Sequence, residues 1–74
     1  MTRYVRVYFS HGAAVVVDAD GGDAGWLVES AVQRYLQESR IDTVLELQRA
    51  VLWGGPGTIH VRASAIEAWE EVEA

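Results

Sequence analysis

The sequence predicts an α+β domain: an antiparallel or mixed sheet of about four strands with one central amphipathic helix, in the order ββαββ, followed by a short C-terminal helix or a fifth strand. Three observations lead there. Residues 2–9 alternate in character and are followed, after Ser10-His11-Gly12, by a second run rich in β-branched residues, the signature of a hairpin. Residues 24–39 repeat apolar side chains at spacings of three and four, the signature of a helix with one buried face. Two more short runs, 43–53 and 58–62, flank Gly54-Gly55-Pro56-Gly57, a sequence suited to a tight connection. A chain of 74 residues supplies one hydrophobic core, so residues 1–74 are read as a single domain.

In the first strand Arg3, Val5, Val7 and Phe9 point one way and Tyr4, Arg6 and Tyr8 the other. The register of the first hairpin follows from asking which loop gives a clean apolar face. A two-residue loop at His11-Gly12 would pair Val7 with Val16 and turn Asp18 onto the face of Val5, Val7 and Phe9. A three-residue loop with Gly12 in the left-handed conformation pairs Phe9 with Ala13, Val7 with Val15 and Val5 with Val17. The second arrangement is expected, leaving Tyr4, Arg6, Tyr8, Ala14, Val16 and Asp18 on the opposite face.

Asp20-Gly21-Gly22-Asp23 reads as a turn in which Asp23 caps the helix that follows. That helix, over roughly 24–39, carries Val28, Ala31, Val32, Tyr35, Leu36 and Ser39 on its inner side and is expected to lie across the hairpin. Residues 43–53 have two periodicities. Thr43 and Glu46 resemble a capping box, with Val44, Leu47 and Val51 at helical spacing, whereas a strand would place Leu45, Leu47, Val51 and Trp53 on one face. A strand is preferred, and it pairs with Thr58 to Arg62, in which Ile59 and Val61 face one way and His60 the other. For Ser64 to Ala74, a capping box at Ser64 and Glu67 and a stripe of Ile66, Trp69 and Val72 favour a short helix. A one-turn corner at Ala63 to Ile66 leading into a fifth strand is the alternative. The order of elements resembles the β-grasp layout, two hairpins flanking one helix, without the Gly-Gly tail of its carrier members.

The net charge is −5 and all six cations are arginines; Lys and Asn are absent. The scattered arginines and acidic balance argue against nucleic acid or an anionic membrane as partner. Loss of the two residue types with A-rich codons points to a GC-rich genome, such as that of an actinobacterium or one of its phages. With no Cys there is neither a disulfide nor a zinc site, and no cofactor is expected. No apolar run is long enough to span a membrane, so a cytoplasmic location is expected.

Three constellations invite chemistry. Asp18, Asp20 and Glu29 stand at positions 1, 3 and 12 of a calcium loop, but Gly22 and Asp23 occupy positions where such a loop needs a ligand and a glycine, so no metal site is assigned. His11 and His60 are the only histidines and would serve a small nuclease-type toxin, although a polar hairpin tip and a solvent-facing strand position explain them without catalysis. Gly54-Gly55-Pro56-Gly57 lacks the following helix of a phosphate cradle. The aromatic set carries more. Tyr, Trp and Arg concentrate where proteins bind one another, and Tyr4 and Tyr8 flank Arg6 on a face the helix leaves bare. The expected function is non-enzymatic protein binding, to itself as a homodimer or to a protein partner, through Tyr4, Arg6, Tyr8, Val16 and Trp69.

Overall fold

β-Branched and aromatic residues in alternation build the first hairpin. The computed structural model describes residues 3–19, 23–50 and 57–73. In it β1 (Arg3–Phe9) pairs antiparallel with β2 (Ala14–Asp18) in the register Val5 with Val17 and Val7 with Val15. The Phe9 N–H donates to the Ala13 carbonyl at 2.9 Å, the Gly12 N–H donates to the Phe9 carbonyl at 3.0 Å, and Gly12 has φ of 95°. This is the three-residue loop expected from the apolar pattern, and it needs a glycine because L side chains clash at positive φ.

Helix α1 (Asp23–Gln37) follows, one residue earlier at its start and two shorter at its end than the periodicity suggests. Asp23 lies in its first turn, where a carboxylate meets the positive end of the helix dipole. Ala24, Gly25, Val28, Ala31 and Val32 are buried along it. A Cβ on Gly25 would come within 2.8 Å of Glu71 Oε1, so the missing side chain lets that carboxylate approach the first turn. Leu36, assigned by its spacing to the inner face, is 76% exposed, because the core is already closed by Val28, Ala31 and Val32.

β3 (Val44–Gln48) and β4 (Thr58–Arg62) form the second hairpin, with Leu45 opposite Val61 and Leu47 opposite Ile59. The strand reading of this segment holds for Val44–Gln48; Val51, Trp53 and Gly54-Gly55-Pro56 lie outside the described residues. Strand alternation wins over the competing helical spacing because it places Leu45 and Leu47 together in the core.

The C-terminal segment departs from the favoured helix. A 3-10 turn (Ala63–Ala65) ends β4, and β5 (Ile66–Glu73) runs antiparallel beside β1. The Ser64 and Glu67 pair does not form a capping box; the Ser64 hydroxyl and N–H donate to Asp42 Oδ2 and Oδ1 at 2.6 and 2.9 Å, pinning the corner to the chain before β3. The helical stripe has a different cause. Phe9 faces Ile66 while Tyr8 faces Ala68, so Glu67 is the extra residue of a bulge. The bulge puts Ile66 and Trp69 on the same side of a strand despite their odd spacing. Val72, three residues further with no second bulge, points to the other side beside Tyr4.

The described strands number five rather than about four, in two antiparallel sheets: β2-β1-β5 and β3-β4. The sheets meet where Val17 bridges Arg49 and the Ala50 N–H donates to the Val16 carbonyl at 3.0 Å. Strands therefore follow in space as β5-β1-β2-β3-β4, with β4 returning to β5 through the 3-10 turn. One core fills the interior, built from Val5, Val7, Val17, Val28, Leu47 and Val61 among others. Helix α1 lies against the 3-10 turn, β5 and β3, so it seals the gap between the sheets rather than lying squarely across the first hairpin.

Candidate protein-binding face and seam cleft

Because Val5 and Val7 are fully buried, the alternation of β1 must turn Tyr4, Arg6 and Tyr8 to the side away from the core. The register sets Ala14, Val16 and Asp18 of β2 on one flank of this row and Ala68, Glu70 and Val72 of β5 on the other. Arg6 stands at the centre, opposite Val16 and Glu70. Its Nη1 donates to Glu70 Oε1 at 2.8 Å and to Tyr8 Oη at 3.3 Å, while the Tyr8 hydroxyl donates to the same Glu70 oxygen at 2.7 Å. The Tyr8 hydroxyl above all, opposed by desolvation and aided to a lesser degree by the Glu70 carboxylate, raises the Arg6 guanidinium above its ordinary pKa. The hydrogen bonds thus orient the guanidinium before any partner arrives.

Tyr4, Arg6 and Tyr8 are half-buried and share this face as the alternation requires. Val16 lies on the same side by register but is only 5% exposed, leaving little of it to touch another molecule. Trp69 does not join them. It sits opposite Val7 and packs against the core, because the bulge at Glu67 rotates it inward.

A second feature lies at the seam where β4 approaches the turn of the first hairpin. Phe9, His11, Ala13, His60, Val61, Arg62 and Ala65 line an open cleft of about 370 Å³. The two histidines, 49 positions apart in the chain by subtraction of their numbers, both border it. His11 stacks on Phe9 with ring centroids 5.5 Å apart and 16° between planes. His60 Nδ1 lies 3.9 Å from Glu46 Oε1 across the β3-β4 pair. The walls between are apolar.

The alternation and periodicity did not mark out the exposed apolar residues of α1 and β3. Trp26 is 66% exposed and Val44 54%, and Trp26, Leu27, Ser30 and Arg34 border a shallow groove of about 180 Å³ with Thr43 and Leu45. Trp26, Ser30 and Arg34 recur every four residues; that interval was the available signal. Of the calcium-loop residues, Asp18 ends β2, Glu29 accepts from Gln33 Nε2 at 3.3 Å on the exposed side of α1, and Asp20 lies outside the described residues. Among the described residues no helix is long and apolar enough to cross a membrane.

No family model, curated protein or solved structure matches the chain.

Proposed function

We propose that the protein is a small non-enzymatic protein-binding domain, an adaptor, inhibitor or regulatory protein of the cytoplasm, that associates through the face of Tyr4, Arg6 and Tyr8. The observation that carries this reading is the Arg6-Tyr8-Glu70 network on the side of the sheet away from α1. Recognition is cheapest when the contacting groups are already ordered, and two aromatic rings beside a fixed guanidinium meet that condition. Arg6 and Glu70 also cancel one another locally, so a second copy can stack here despite the net charge of −5. A homodimer is the first partner to test. Sedimentation across a concentration series should show association that weakens in Tyr8→Ala and in Arg6→Glu with the fold intact. A strict monomer whose captured partners bind these variants as well as the parent chain would overturn the reading.

A second reading, a small nuclease-type enzyme using His11 and His60, is favoured by one observation: both rings border the same cleft. General acid-base cleavage needs two such groups around one phosphate. RNA cleavage that is lost in both His11→Ala and His60→Ala would support it, and cleavage surviving the double replacement would reject it.

A further inference from the structure

Among the described strands, the pairing of β4 leaves one of its edges open. The Ala63 N–H donates to the Thr43 carbonyl at 2.9 Å and the Arg49 N–H to the Gly57 carbonyl at 2.8 Å. In an antiparallel pair hydrogen-bonded positions recur every second residue, so Ile59 and Val61 turn their backbone groups toward β3. Thr58 and His60 therefore turn their N–H and C=O groups the other way, where no described strand lies. The cleft of Phe9, Ala13, Val61 and Ala65 runs beside this edge, and His60 and Arg62 stand on its rim.

The other outer edge is guarded. On β5 the residues whose backbone points away from β1 include Glu71 and Glu73, and Glu67 occupies the bulge. Charges and bulges on an outer strand are devices that block pairing with another chain. β4 has no bulge and no carboxylate along Thr58–Arg62; the residues there whose backbone turns away from β3 are a threonine, a histidine and, only at the end of the strand, an arginine.

We propose that β4 accepts an extended peptide as a further antiparallel strand, and that the peptide it fits alternates acidic and apolar residues. Backbone bonds to Thr58 and His60 would supply affinity, as in other strand-addition complexes. Side chains of an added strand alternate with those of β4. A residue level with Val61 faces the apolar cleft, and a residue level with His60 lies beside His60 and Arg62. Glu46 stands across β4 on the β3 side and Asp42 precedes β3, so on this flank Arg62 is the nearer charge and a carboxylate is favoured over a cation. This site is separate from the Tyr4-Arg6-Tyr8 face and does not depend on it.

The test uses the whole chain and a short blocked peptide in which Glu and Ile alternate, titrated by NMR. Binding should slow hydrogen exchange at the Thr58 and His60 amides, shift Phe9 and Ala65, and leave Tyr4 and Tyr8 unmoved. A peptide with Lys in place of Glu, one N-methylated at alternate amides, and the original peptide against Arg62→Glu should each bind at least about tenfold more weakly. Because two of these three comparisons alter the peptide, they hold even if Arg62→Glu fails to fold. Equal binding of the Lys or N-methylated peptide would overturn the proposal, as would no saturable shift at millimolar peptide. Tighter occupation of the same cleft by an oligoribonucleotide would overturn it too, in favour of the nuclease reading.

Discussion

Along β1, Val5 and Val7 are fully buried while Tyr4, Arg6 and Tyr8, one step away on the same strand, remain half exposed. The inner row packs against Val17 and Val28 and contributes through area removed from water. The outer row is polar and aromatic, with Arg6 and Tyr8 tied by hydrogen bonds that Glu70 of β5 accepts. Exposed ion pairs of this kind add little to stability, so the outer network orients side chains more than it holds the fold. One strand thus separates stability from recognition by its two-residue period.

The contrast is sharpest in replacements on the inner row. Val5→Ala and Val7→Ala should each lower the unfolding free energy by about 2 kcal/mol in urea denaturation, a large share for a domain this small. A loss well under that would mean the inner row is not the structural centre. Gly12→Ala tests the turn that sets the register of both rows. It should cost about 1 kcal/mol, since φ of 95° suits no L side chain and no packing compensates.

On the outer row the order of effects reverses. Tyr8→Ala should change stability by no more than about 0.5 kcal/mol while weakening association about tenfold, read by thermal melts beside sedimentation. If stability falls as far as in Val7→Ala, the outer row is structural and the comparison fails.

The smallest effect belongs to neither row. Asp42 is held below its ordinary value of 3.8 by the Ser64 hydroxyl, then by the Ser64 N–H, with Arg62 assisting. A carboxyl whose folded pKa is depressed adds stability above its unfolded value and loses it as pH falls through the folded one. Asp42→Asn should therefore melt slightly below the parent chain at neutral pH, and the two melting curves should converge in acid. A gap that persists unchanged at low pH would remove this carboxylate from the account.

Much of this architecture was legible from residue order. The register of the first hairpin followed from requiring Val5, Val7, Val15 and Val17 to share a face, and Gly12 from the loop that this requires. The inward positions of β3 and β4 were equally visible in Leu45, Leu47, Ile59 and Val61. The joint placement of Tyr4, Arg6 and Tyr8 was a matter of alternation alone.

What residue order could not decide was anything set by contacts between distant segments. Ile66 and Trp69 mimic helical spacing because a bulge adds one residue to a strand, and that bulge exists only where β5 meets β1 at Tyr8 and Phe9. Ser64 looks like a helix cap until Asp42 arrives from another part of the chain to accept its bonds. Leu36 satisfies the helical period, yet α1 rests on the 3-10 turn, β5 and β3 and leaves it exposed. His11 and His60 meet at one cleft only because β4 returns beside the first turn. Local pattern states which face of an element is apolar; only the packed molecule determines which part of that face finds a neighbour, because burial is a property of pairs of surfaces and a single segment carries just one of them.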